Sequence, residues 1–277
     1  MVPTDPRPIG VFDSGVGGLT VLRALRARFP DESMVYLGDT ARVPYGTKSA
    51  EVVTRYSLRN AAFLTTQDVK LLVVACNTSS SVALPALRGA LGIPVVGVIE
   101  PGARAAARVS RGGKVGVVGT PGTIASGAYQ RALAAERPGV RIEVQACPLF
   151  VPLAEEGWVQ GDVPRLVARA YLAPMRQAGI DTLVLGCTHY PLLRGVLAEE
   201  LGPAVTLVDS AEATAEEVEA LLGRGVAGRA PRGPGELRVF VTDTPDRIPE
   251  LSARFLGERV ERAEHVDIEA PERSDTF

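Results

Sequence analysis

Cysteine residues able to exchange a proton stand at two matched places in this chain. Cys76 closes the apolar run Leu71-Leu72-Val73-Val74-Ala75, and Cys187 closes Thr182-Leu183-Val184-Leu185-Gly186, 111 positions later. Runs of this length and apolarity read as buried strands. Each is followed by small polar residues, Asn77-Thr78-Ser79 or Thr188-His189, of the kind that open a helix. Thiols at equivalent strand ends can face one ligand from opposite sides. That suits a reaction that takes a proton from one face of a carbon and returns one to the other. The working base is the thiolate, and a free cysteine with a pKa of about 8.5 is only slightly ionised near neutrality. A helix N-terminus, with hydrogen bonds from Asn77, Thr78 or Thr188, is expected to favour the anion. His189 stands two residues after Cys187, a spacing that does not dictate contact with the sulfur. It suits protonation of a carboxylate-bearing substrate or tuning of the site.

Other segments offer groups to the same chemistry. In Asp13-Ser14-Gly15-Val16-Gly17-Gly18 the glycines let backbone N–H groups approach a ligand ahead of a helix. The spacing is not that of a dinucleotide loop, and the lysine of a phosphate loop is missing. Asp13 suits an ammonium group or acid–base work, or simply a turn. Gly38-Asp39-Thr40-Ala41-Arg42-Val43-Pro44-Tyr45-Gly46 follows a strand end, where open α/β sheets bind ligands. Tyr45-Gly46 there could supply a donor and a wall. In Phe150–Trp158, Glu155 and Glu156 lie beside apolar residues, and one of them could orient His189. Zinc competes for Cys76, Cys187, His189 and Asp13, all permitted ligand types. With no Cys-x-x-Cys and no His-x-x-x-His, no metal is expected. A hydrolase using one cysteine and a histidine would leave the second cysteine segment unexplained. Cys147, after Ile142–Ala146, reads as a small buried hydrophobe.

These residues need a scaffold. At 277 residues the chain suits two domains. Expected strands at 9–12, 34–37, 71–75, 95–98, 115–118, 142–146, 182–186, 205–208 and 238–241 alternate with helical stretches at 19–28, 50–65, 81–90, 123–135, 164–178, 211–222 and near 246–256. This alternation predicts an α/β fold of mostly parallel sheets with crossover helices. Ile9-Gly10-Val11-Phe12-Asp13-Ser14 is similar to Val115-Gly116-Val117-Val118-Gly119-Thr120, 106 positions on, and the cysteine strands repeat at 111. Two close offsets in one order predict an internal duplication. The chain is expected to divide into 1–98 with 211–277, and 99–210. Residues 224–235 read as a surface loop, and 271–277 as a frayed end. A net charge of −2 gives no reason to expect nucleic acid or an anionic membrane as partner. The start lacks a signal segment and no run is long enough to span a bilayer, so a cytoplasmic location with reduced cysteines is expected.

Taken together, Asp13-Ser14-Gly15-Val16-Gly17-Gly18, Gly38-Asp39-Thr40 with Pro44-Tyr45-Gly46, Ala75-Cys76-Asn77-Thr78, Gly186-Cys187-Thr188-His189-Tyr190-Pro191, Cys147–Leu153 and Phe240-Val241-Thr242-Asp243 resemble bacterial glutamate racemases, in order across about residues 9–256. The resemblance implies a cofactor-independent enzyme, with no cofactor and no metal, that interconverts L- and D-glutamate and supplies peptidoglycan synthesis. It implies two pseudo-symmetric, doubly wound α/β domains with the site between them, and a homodimer. It implies that Cys76 and Cys187 are the acid–base pair, Cys76 acting on D-glutamate and Cys187 on L-glutamate, assisted by Asp13, His189 and one of Glu155 and Glu156, with Glu155 preferred. Substrate-binding positions implied are Asp13, Ser14, Pro44, Tyr45, Gly46, Asn77, Thr78, Thr123, Thr188 and His189. Alternatives are a racemase of the same family acting on aspartate or another small acid, and a catalytically silent ligand-binding or regulatory protein.

Overall fold

The computed structural model describes residues 4–225, 227–230 and 233–268. The expected frayed end at 271–277 and part of the 224–235 loop lie outside these residues. Among the described residues, ten strands form two sheets. They are β1 (Ile9–Asp13), β2 (Met34–Gly38), β3 (Leu71–Val74), β4 (Val95–Gly97), β5 (Lys114–Gly119), β6 (Arg141–Ala146), β7 (Thr182–Gly186), β8 (Thr206–Asp209), β9 (Leu237–Val241) and β10 (Glu264–His265). The six-stranded sheet has the order β10-β9-β2-β1-β3-β4 and the four-stranded sheet β6-β5-β7-β8. Every pairing is parallel. Strands buried on both faces explain the continuous apolar runs; every residue of β1, β2, β3 and β7 is buried.

The strand order β2-β1-β3-β4 recurs as β6-β5-β7-β8, and the register recurs with it. Ile9 sits opposite Leu71 in one sheet and Val115 opposite Thr182 in the other. These are the offsets of 106 and 111 read from the sequence. An order of this kind reverses between its first and third strands, and ligands bind outside the carboxyl ends at that crevice. In the first sheet the crevice lies past Asp13 and Val74, in the second past Gly119 and Gly186. Both cysteine segments therefore emerge at a reversal point.

Helices cover both faces of each sheet. Leu19, Leu22 and Leu25 of helix Leu19–Arg28 pack with Ala211, Ala215, Val218 and Leu222 of helix Ser210–Gly223 and with Ile248 and Phe255 of helix Ile248–Phe255. Ala61, Leu64, Leu84 and Leu87 close the opposite face of the six-stranded sheet. Helix Ile99–Val109 packs against Ser210–Gly223 and against β7 and β8. The chain thus crosses between sheets through two helices in mutual contact. Several expected helices are subdivided. The stretch from 77 to 90 is two helices, Asn77–Val82 and Leu84–Ala90, since Pro85 withholds an N–H and suits a first turn. The helix expected at 123–135 breaks at Gly127, which adopts φ 67°. Strand β10, two residues long, carries too little pattern to be read from sequence. Among the described residues, no helix is long and apolar enough to cross a membrane.

Candidate active site

Cys76 and Cys187 line one cavity of about 160 Å³. This is below the range of drug-sized pockets and suits a small metabolite. Cys76 is delivered by the six-stranded sheet. The ladder continues one residue past β3, where Ala75 N–H donates to Phe12 O at 2.9 Å. Cys76 then caps helix Asn77–Val82, its Sγ accepting from Ser79 N–H at 3.5 Å. Cys187 follows β7 in the other sheet. It enters a tight turn in which Tyr190 N–H donates to the Cys187 carbonyl at 3.2 Å, before the 3₁₀ segment Tyr190–Leu193 with Pro191 at its start. The two thiols therefore have different surroundings. One caps an α-helix, and the other neighbours a histidine.

That difference sets their electrostatics. Burial pushes the Cys76 thiol up to about 11, the nearby Asp13 carboxylate adds to this, and the Ser14 and Ser79 contacts oppose it. The expectation that a helix N-terminus would lower this thiol is corrected. The helix has six residues, and a dipole effect of about 0.3–1 kcal/mol is smaller than the cost of desolvating a sulfur anion. As a thiol, Cys76 donates to Ser14 Oγ at 3.5 Å. At Cys187, His189 Nδ1 lies 3.7 Å from Sγ and 3.4 Å from Thr188 Oγ1, while Nε2 lies 3.0 Å from Glu155 Oε1. Burial disfavours the imidazolium, but Cys187 and Glu155 outweigh it and raise His189 to about 10. Glu155 is lowered by the same contact. A chain Glu155–His189–Cys187 thus keeps a cation beside one sulfur, with a neutral thiol across the cavity.

The walls come from both sheets. Thr78 Oγ1 lies 2.9 Å from Thr120 Oγ1 and 3.2 Å from Thr123 Oγ1, and Thr20 Oγ1 donates to the Thr188 carbonyl at 3.0 Å. Pro44, Tyr45 and Gly46 form a further wall. They are held from behind by buried Asp39, which accepts from Arg42 Nε at 2.8 Å, from Thr242 Oγ1 at 3.0 Å and from the Tyr45 hydroxyl. Asn60 Nδ2 donates to that hydroxyl at 3.2 Å. Gly17 packs where a Cβ would overlap Thr188 Oγ1 and the His189 ring, so the first glycine loop seats the cysteine–histidine segment.

Most residues singled out in the sequence meet here. Ser14, Pro44, Tyr45, Gly46, Asn77, Thr78, Glu155, Thr188 and His189 line the cavity with the two cysteines. Asp13 and Thr123 stand behind this lining. Asp13 is fully buried, with Oδ2 accepting from Gly15 N–H at 2.9 Å and Oδ1 without a hydrogen-bond partner among the described residues. Burial raises its pKa, against His189 and the N–H groups of Gly18, Gly15 and Ser14. Thr123 is buried against Thr78 and Thr120. Glu155 faces His189, which answers the choice between Glu155 and Glu156 for that contact. Cys147 is buried, and its carbonyl accepts from the Tyr190 hydroxyl at 2.8 Å. Sequence reasoning missed Thr120, although it is the repeat counterpart of Ser14. It also missed Tyr129, whose hydroxyl donates to Asn77 Oδ1 at 2.8 Å from the other half of the chain. Arg254, which donates to the Glu155 carbonyl, and Phe255, whose ring centroid is 5.3 Å from that of His189, carry no local motif.

Comparison with known proteins converges on one group. The family profile for Asp/Glu/hydantoin racemases matches residues 19–218. The glutamate racemase of Geobacter metallireducens is 56% identical over 264 residues, covering 95% of this chain and 98% of that one. The crystal structure of glutamate racemase from Thermus thermophilus with β-chloro-D-alanine superposes with a TM-score of 0.86 at 50% identity, covering 96% of this chain and 98% of that one. The Francisella tularensis enzyme in complex with D-glutamate superposes with a TM-score of 0.89 at 36% identity, covering 96% and 99%.

Proposed function

The chain belongs to the Asp/Glu/hydantoin racemase family, and from that premise we propose that it is a glutamate racemase, interconverting L- and D-glutamate without a cofactor. The observation that carries this reading is that two buried thiols, from equivalent strand ends of two repeated sheets, line a single small cavity. In the proposed step one thiolate takes the α-proton. The C–H bond breaks, an S–H bond forms, and the electron pair remains on the α-carbon and its carboxylate. The opposite thiol then gives its proton to the other face and becomes the thiolate. By family resemblance Cys187 is the base toward L-glutamate and Cys76 toward D-glutamate. His189, held by Glu155, stabilises charge at Cys187, and Asp13 assists from behind the Cys76 side.

With no electron sink, the carbanion depends on donors aimed at the substrate carboxylates. Asn77, Thr78, Thr188 and the 44–46 wall are proposed to supply them. Asp13 and Thr123 act by holding the residues in front of them. The chain is proposed to work as two units, 1–98 with 211–277 and 99–210, that close on substrate and exclude water. D-glutamate formed in this way feeds peptidoglycan synthesis, and hence cell-wall biogenesis and cell shape, in the cytoplasm. A homodimer is proposed, supported by exposed Leu149, Trp158, Val163 and Leu166; light scattering tests it.

The deciding experiment compares L-glutamate with L-aspartate as substrates and repeats the assay with Cys76→Ser and Cys187→Ser. Glutamate should be racemised and aspartate not. Each substitution should reduce turnover by about 10²–10⁴-fold, the scale of a lost general acid or base, while D-glutamate still binds. Full activity in either variant would refute the two-thiol reading.

A further inference from the structure

Asn77 lines the cavity but is 3% exposed, and its two amide ends are treated unequally. Oδ1 accepts from the Tyr129 hydroxyl at 2.8 Å, whereas Nδ2 is buried with no hydrogen-bond partner among the described residues. A primary amide can present either end, donors or acceptor, with almost the same shape. Whichever end faces a bound carboxylate decides between attraction and repulsion. An unpartnered buried N–H₂ beside a cavity is the end a carboxylate would satisfy.

Tyr129 reaches Asn77 from the opposite half of the chain. It lies in helix Ala128–Glu136, is 1% exposed, and its hydroxyl sits beside Ser210 at the start of helix Ser210–Gly223. The phenol hydrogen is directed at Asn77 Oδ1. Burial raises the phenol pKa, so this group stays a donor across the working pH range. The surroundings are shaped to admit the contact. A Cβ at Gly186 would come within 2.9 Å of Tyr129 Cε2, and one at Gly102 within 3.1 Å of Ser210 Cβ.

We propose that Tyr129, packed beside Ser210, is a positioning residue that locks the Asn77 amide with its N–H donors toward the substrate carboxylate. The proposal rests on the glutamate racemase reading and deepens it, since it names what keeps this part of the site selective for an acceptor. Tyr129 acts through Asn77 and not on the reacting atoms, so its loss weakens substrate binding more than it slows turnover.

The test is a double-mutant cycle. The parent protein is assayed first. If it does not racemise glutamate, the substrate reading falls and this proposal with it. If it does, Tyr129→Phe should raise the KM for both enantiomers by about 10-fold and change kcat by less than about 3-fold, the scale of one mis-set hydrogen bond to a charged ligand. In an Asn77→Ala background the same change should alter kcat/KM by less than about 2-fold, because the group it positions is gone. α-Proton exchange followed by NMR at low glutamate gives kcat/KM even for weak variants. Ser210→Ala, a smaller perturbation, should move KM in the same direction and serves if Tyr129→Phe does not fold. An unchanged KM in the folded variants, or an equal loss in both backgrounds, would overturn the proposal while leaving the racemase reading intact.

Discussion

Replacing Glu155 by Gln should move the alkaline limit of activity and leave neutral activity nearly untouched. His189 lies 3.0 Å from Glu155 Oε1 and 3.7 Å from Cys187 Sγ, with Asp13 nearby and the Phe255 ring against its edge. Burial alone would lower its pKa below the ordinary 6.5, yet Cys187 and Glu155 hold it at about 10. An opposite charge at this range is worth roughly 1–3 pKa units, so the neutral amide should bring His189 to between roughly 7 and 9. For a fall to about 8, the imidazolium fraction at pH 9 drops about tenfold and at pH 7 by only about a tenth. Activity should follow if the cation beside Cys187 is needed. The assay is kcat/KM against pH from 6 to 10.5, with the His189 ring followed by NMR. The enantiomers have equal free energies, so both directions must give the same kcat/KM at every pH. The sign for stability is the same. A histidine raised in the folded state contributes stability fully present below about 6.5 and lost as pH rises through about 10. A uniform loss at all pH values, with the alkaline limb unmoved, would refute the role given to the Glu155–His189 pair.

Gly17→Ala should cut kcat/KM by about 10²-fold with unchanged far-ultraviolet dichroism, because the added Cβ would displace Thr188 and His189; activity near the parent's would show that the contact is unimportant. Thr242→Val removes a donor to Asp39 and an acceptor for Ala41 N–H at 2.9 Å, so it should cost about 1–3 kcal/mol in urea unfolding and raise KM by loosening the 44–46 wall. Lys70→Met leaves the Glu32 carboxylate without its 2.6 Å partner in a buried pair and should cost about 3–5 kcal/mol, partly recovered by adding Glu32→Gln. An equal loss in the single and double variants would contradict that assignment.

Much of this arrangement is legible before folding, for physical reasons. Parallel strands buried on both faces leave continuous apolar runs, so nine of the ten strand positions, and the repeat of register among β1–β4 and β5–β8, can be found by inspection. Loops at carboxyl strand ends carry Gly, Asp, Cys and Asn in patterns that local geometry demands, so Asp13, Ser14, Cys76 and Cys187 stand out. The rest depends on distance in sequence. Tyr129 meets Asn77 across 52 positions, and Thr242 meets Asp39 across 203. Each is an ordinary residue of its helix or strand until the sheets come together. The direction of the Cys76 shift escapes a sequence reading for a related reason. A helix start is visible in sequence, whereas burial of the sulfur and the nearness of Asp13 are products of packing.

The most direct measurement incubates L-glutamate in deuterated water with the purified protein, stopped in the first few per cent of turnover. If two thiols on opposite faces share the reaction, the D-glutamate formed carries deuterium at the α-carbon, while the remaining L-glutamate keeps its protium. Deuterium entering the remaining L-glutamate as fast as it enters the product would mean that one base serves both faces, and the account of Cys76 and Cys187 would be contradicted.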